Sequence, residues 1–200
     1  HNVGSIFRTA DAVGVEKIYP DTKRALAPKA QRNASSARYS VGVYLCGITP
    51  SPLDTFGKVR PQFAKVALGA EKYVSWEKVK STTKLIDNLK AQRFKILAVE
   101  QSKRSIPYHK VKVRPKEKIA LVLGAEVKGL SPSILKKADK ILEIPMAGAM
   151  VRQGVRLRLT RSPHHPRRTR RGKESLNVAV AFGIVAFGIM KADDNRKSFG

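Results

Sequence analysis

Two short segments of this 200-residue chain carry residues spaced for ligand chemistry. In the first, Gly124 and Gly129 flank Glu126, and Lys128 stands beside it. Glycines at these places let the backbone turn sharply and let another molecule come close. In the second, Glu174-Ser175-Leu176-Asn177 precedes a long apolar run, so polar groups gather where a helix begins and Asn177 is suited to cap it. Two other candidates are set aside. His164 and His165 lie beside prolines with no Cys or carboxylate nearby, so no metal site is expected. Cys46 ends the apolar run Val43-Tyr44-Leu45-Cys46 and is expected to be a buried spectator. A single cysteine excludes an internal disulfide and fits a reducing, cytoplasmic setting.

Strand and helix patterns explain how those segments are held. The run 119–123, Ile-Ala-Leu-Val-Leu, has charge before it and glycine after it, which reads as a strand buried on both faces. Ser131-Pro132 opens a helix, with Ser131 as cap and Pro132 at its first position, and Lys136 and Lys137 suit its carboxyl end. A second strand, 140–144, stops at Pro145, and Ile144-Pro145-Met146 leads into a glycine-containing loop. Ligands in open α/β sheets collect beyond the carboxyl ends of the strands, where both loops lie. Elsewhere Asn2 caps a helix that carries Arg8 and ends at Gly14. Strands are predicted from Ile18-Tyr19, over 43–46, over 73–76 and over 95–100. Helices are predicted over 63–68, over 81–92 with Leu85, Ile86 and Leu89 on one face, and over 176–190 as a buried helix. Residues 103–118 read as a basic connection. The alternation predicts an α/β fold with a mostly parallel sheet and helices on both faces.

Charge narrows the partners. Forty Lys and Arg against 15 Asp and Glu give a formal net charge of +25, which points to a phosphate-rich partner such as RNA. The longest apolar run, 178–190, is too short to span a bilayer, and no signal peptide is visible. The chain begins at His1 in what reads as a loop before a helix, so at least one strand is expected ahead of it.

Three blocks resemble the motifs of a known family. They are Asn2-x-Gly4-x-x-x-Arg8-Thr9-Ala10-Asp11-Ala12; then 121–130, Leu-Val-Leu-Gly-Ala-Glu-Val-Lys-Gly-Leu, continuing to Ile144-Pro145-Met146; and 175–181, Ser-Leu-Asn-Val-Ala-Val-Ala. In this order they resemble the SpoU (TrmH-like) group of SPOUT RNA ribose 2′-O-methyltransferases. The resemblance implies a single SPOUT domain with a deep trefoil knot near its carboxyl end, a homodimer, and S-adenosyl-L-methionine as methyl donor. By position it assigns cofactor contacts to Leu123, Gly124, Ile144, Met146, Ser175, Leu176 and Asn177. It assigns catalytic roles to Arg8, Asn2, Glu126 and Asn177. RNA contacts would fall to Arg8, Lys128, Arg152 and Arg156, with tRNA or rRNA as substrate and no metal or membrane. Arg8 is suited to orient the 2′-hydroxyl, pair with a phosphate and stabilise developing charge, because a guanidinium rarely gives up a proton.

Two basic segments depart from the family pattern. Residues 20–42 carry five bases and one acid, and 150–173 carry nine bases and no acid. The second falls in a loop that is short in the family, where 149–172 reads as an insertion. Three accounts stand: arms that order on RNA, neutral insertions, or artefacts of how the sequence was assembled. The alternative function is therefore a non-catalytic basic RNA-binding protein on a SPOUT-like scaffold whose cofactor site is impaired by 149–172.

Overall fold

A computed structural model describes residues 2–15, 42–114, 117–126, 128–146 and 176–197, the last seven by backbone only. The predicted strand start at Ile18-Tyr19, the basic stretches 20–41 and 149–172, and with them Arg152, Arg156 and Ser175, lie outside the described residues. In chain order the helices are α1 (Asn2–Ala12), α2 (Pro61–Ala67), α3 (Thr82–Ala91), α4 (Pro132–Lys137) and α5 (Val178–Lys197). The strands are β1 (Val43–Cys46), β2 (Trp76–Val79), β3 (Lys95–Val99), β4 (Ile106–Pro107), β5 (Ile119–Leu123) and β6 (Lys140–Glu143).

All pairings between these strands are parallel. β1 pairs with β2, and the larger sheet has the order β4-β6-β3-β5. Its centre is β3, where Ile96, Leu97 and Ala98 are fully buried. Successive strand residues point to opposite faces, and the packing follows that alternation. Ile96 meets Ile86 and Leu89 of α3, with Ala120, Val122 and Ile134 alongside. Leu97 faces the other way, onto Leu142 and Val185 of α5. Helices thus cover both faces, as the alternating pattern predicts. α1 and the turn after it bury Phe7, Ala10 and Val13 against Leu45, Ala67, Phe182 and Ala186, with Leu121 and Leu123 packed beside them. The Phe7 ring meets Phe63 edge to face at 5.1 Å.

Local chemistry sets the ends. The N–H of Val15 donates to Ala10 O and that of Gly14 to Asp11 O, the paired bonds of a glycine-terminated helix. Ser81 Oγ accepts from Lys84 N and caps α3. Asp139 clamps the start of β3: its Oδ2 accepts from Ile96 N at 2.7 Å, and Lys90 pairs with Oδ1 at 2.8 Å. Burial pushes the Asp139 carboxyl up, but Lys90, the Ile96 N–H and Lys95 together outweigh it and hold the group below its usual range.

Several expectations are corrected. The strand predicted over 73–76 begins only at its last residue. Gly69 turns the chain into a 3-10 turn, Ala70–Lys72, and the strand starts at Trp76. β5 packs on both faces but is half-buried throughout, because it lies at the edge of its sheet. The basic connection 103–118 contains β4, where Pro107 sits on an edge strand that tolerates its missing N–H, and a 3-10 turn, Tyr108–Lys110. Its Val111 and Val113 are buried. Ser131 stands at the cap position of α4, but its hydroxyl pairs with Ser133 Oγ at 2.9 Å and caps nothing. α2 starts two residues earlier than predicted, at Pro61. α5 is not buried all round: Val180, Phe187 and Met190 are about half exposed. Cys46 is only half-buried, and burial raises its thiol against the opposing influence of Thr82 and Lys78.

Candidate functional site

The three motif blocks meet at Asn2. Its Nδ2 donates to Glu126 Oε2 at 3.1 Å, across 124 residues of chain. Its Oδ1 accepts from Asn177 Nδ2 at 2.9 Å, across 175 residues. Capping α1 is therefore not what occupies this side chain. Asn177 does two things at once. Its Oδ1 accepts from Ala179 N at 2.9 Å and Val180 N at 3.4 Å, which caps α5, while its amide nitrogen turns to Asn2.

The loop after β5 is tightly folded on itself. Gly129 N donates to Ala125 O at 2.8 Å, and Gly129 has φ +61, a conformation glycine adopts without strain. A Cβ on Gly124 would lie 2.4 Å from the Gly129 carbonyl carbon. Gly124 is small because its own chain packs against it, a nearer reason than approach by another molecule. The loop is tied to the end of β3 by Glu100, whose Oε2 accepts from Leu130 N at 2.8 Å and whose Oε1 accepts from Gln101 N at 3.1 Å.

Beyond the carboxyl ends of β3 and β6 lies a crevice of about 100 Å³. Its walls include Ile144, Met146 and Leu176, three residues picked out in the sequence, together with Val99, Glu100 and Gln101. Small-molecule sites typically enclose ~300–1,000 Å³, so this crevice is smaller than such a site. Leu123 ends β5 in register with Val99 of β3, which places it and Gly124 at the same end of the sheet. A larger crevice, about 190 Å³, is lined by Arg104, Asp139 and Lys140 at the opposite end of β6, away from every motif residue. The smaller crevice is the candidate site, because Ile144, Met146 and Leu176 line it and Asn177 follows Leu176 directly in the chain.

The structure thus joins Asn2, Glu126 and Asn177 by hydrogen bonds and gathers Ile144, Met146 and Leu176 around a crevice, with Leu176 and Asn177 adjacent in the chain. Arg8 is exposed on α1, six residues after Asn2, which is ~9 Å along a helix and about a third of a turn around it. Lys128 is exposed on the loop. Glu100 and Gln101 were missed in the sequence. Their signal was a polar pair directly after the apolar run of β3, where a strand ends and ligands collect. Among the described residues no group of three or more His, Cys, Asp or Glu is placed to hold a metal, and no helix is long and apolar enough to cross a membrane.

Residues 48–151, just over half the chain, match the model of the SpoU rRNA Methylase family. A tRNA (guanosine(18)-2'-O)-methyltransferase of Aquifex aeolicus is 29% identical over 196 residues, which is 98% of this chain and 66% of that protein. The solved A. aeolicus TrmH/SpoU tRNA modifying enzyme superposes with a TM-score of 0.63 at 24% identity, covering 98% of this chain and 71% of that one. The SpoU methyltransferase AviRb of Streptomyces viridochromogenes, solved in complex with the cofactor AdoMet, gives 0.61 at 19% identity, covering 98% and 56%. The chain spans about half to two thirds of the length of the curated relatives it matches.

Proposed function

The chain belongs to the SpoU rRNA Methylase family, and from that membership we propose that it transfers a methyl group from S-adenosyl-L-methionine to a ribose 2′-oxygen in tRNA or rRNA. The observation that carries the proposal is the meeting of all three motif blocks at Asn2, through Glu126 and Asn177. The Aquifex relative's name, a tRNA (guanosine(18)-2'-O)-methyltransferase, supports the reaction and substrate class. AviRb, solved with AdoMet, supports the cofactor.

The residues present suit that cofactor. Val99, Leu142, Ile144, Met146 and Leu176 offer apolar walls for an adenosine, and the carboxylates of Glu100 and Glu143 favour a cationic donor. When bound, S-adenosylmethionine supplies a methyl group already activated by its sulfonium. What remains for the protein is to align the 2′-oxygen and manage one proton. Arg8 pairs with the phosphate beside the target ribose and stabilises charge growing on the oxygen. Glu126, which accepts a hydrogen bond from Asn2, takes the hydroxyl proton in this reading. Leu123, Gly124 and Ser175 complete the cofactor contacts, and Lys128, Arg152 and Arg156 meet RNA phosphates.

The proposal extends to architecture. The segments 20–42 and 149–172 are basic insertions in a single SPOUT domain of the cytoplasm, whose carboxyl-terminal part forms a trefoil knot. Two copies pair through α5, where Val180, Phe187 and Met190 form an exposed apolar stripe while Phe182, Val185 and Ala186 are buried. Substituting Arg8→Ala tests the catalytic reading. Methyl transfer to bulk RNA falls by at least ~100-fold, the effect of losing one transition-state charge contact, while RNA retained on a filter stays within ~2-fold. A wild-type chain that retains RNA but never transfers methyl is instead a non-catalytic RNA-binding protein.

A further inference from the structure

The most exposed large aromatic among the described residues is Phe56, 86% exposed, on a small hairpin between β1 and α2. Nothing in the motif blocks accounts for it. The hairpin is built, with bonds inside it and at its base. Leu53 and Val59 pair antiparallel. Asp54 Oδ1 accepts from Phe56 N at 2.8 Å and Lys58 N at 2.9 Å, and Asp54 N donates to Lys58 O at 2.8 Å. Gly57 makes the turn with φ +77. Buried Pro52 and the bond from Arg60 N to Pro52 O fix the base, and Arg60 Nε donates to Leu53 O at 3.1 Å. A single apolar ring held out in water on an ordered tip is unlike an exposed residue on a loose loop, because its ordering cost is already met by the hairpin's own bonds. Cations outnumber anions around it. Asp54, the only acid in the hairpin, is engaged by backbone N–H groups, while Lys58 and Arg60 are exposed.

We propose that the 53–59 hairpin is a stacking platform for an unpaired RNA base, with Phe56 under the base and Lys58 and Arg60 on the adjoining phosphates. The occupant follows from charge complementarity: an exposed aromatic flanked by cations suits a splayed nucleotide, whose π-face stacks and whose backbone is anionic. A base within a duplex offers no free face, so the platform selects single-stranded or looped segments. The inference rests on the RNA reading above and adds a contact far in sequence from the motif residues.

The test uses the full chain, end-labelled oligouridylate, and the duplex of that strand with oligoadenylate, read by fluorescence anisotropy at several salt concentrations. Phe56→Ala weakens oligouridylate binding about 5- to 150-fold and leaves the duplex within ~2-fold. Its melting temperature matches wild type, since the ring is exposed. Phe56→Trp keeps the affinity, and its emission is quenched by the single strand and not by the duplex. Lys58→Gln lowers the salt slope for the single strand by about 0.7. Unchanged binding of oligouridylate by Phe56→Ala, or equal losses on both probes, overturns the platform while the RNA reading stands. Loss of self-association in Phe56→Ala with RNA binding intact shows that a second copy covers the ring, and also overturns it. A wild-type chain that binds neither probe removes the RNA reading itself.

Discussion

Asn177 carries two tasks on one side chain, and substitutions separate them. Its oxygen caps α5 and its nitrogen reaches Asn2. Asn177→Ala loses both, with about 1 kcal/mol of stability lost from the missing cap. Asn177→Asp keeps a capping oxygen and adds a charge that suits a helix N-terminus, but it removes the donor to Asn2. Thermal melting of Asn177→Asp is expected at or above wild type, while methyl transfer falls about tenfold or more. Parallel loss of stability and activity in both variants would reduce Asn177 to a cap. The pairing of these residues was legible only through the motif blocks, since no local pattern links positions 175 residues apart. Gly124 was legible as a place where something comes close, but not that the visitor is the backbone at Gly129. Glu100 was legible only as half of a polar pair closing the β3 run; its tie to Leu130 depends on which loop ends beside β3, a fact of topology.

Elements with a strong period were read well and short ones were not. The three leucine and isoleucine positions of α3 and the apolar run of β3 announce themselves, and Ser81 marks the helix start. The two-residue β4 and the turn at Ala70 carry no period at all, and their form comes from Gly69, Pro107 and the strands they meet. The edge position of β5 was hidden because an apolar run reads the same whether a second neighbouring strand is present or absent. At this scale the clamp at the start of β3 gives a pH prediction. Asp139 has its pKa lowered in the folded chain, so its contribution is present above the unfolded value near ~3.9 and is lost as pH falls through the folded value. Asp139→Asn is expected to lose at most about 1 kcal/mol near neutral pH, because the Lys90 pair is partly exposed. The gap to wild type closes as the solution is acidified below pH ~4. Urea unfolding across pH checks it, and a gap that widens on acidification would contradict the clamp.

Charge and assembly act on the entire chain. A net charge of +25 opposes pairing of two copies, whereas the apolar stripe of α5 favours it. Light scattering is expected to show a dimer for the wild-type chain and a monomer for Phe187→Glu, with the dimer strengthening as salt screens the repulsion. A wild-type monomer at all salt concentrations would leave the stripe unexplained. Composition pointed to a polyanionic partner, and only the motifs pointed to a reaction. That reaction is tested most directly by incubating the chain with methyl-labelled S-adenosylmethionine and mixed tRNA and rRNA, then digesting the RNA to nucleosides. The account predicts label in a 2′-O-methylated nucleoside, and none when Arg8→Ala replaces the wild type. Label confined to a base, or wild-type RNA carrying no label despite bound donor, would contradict it.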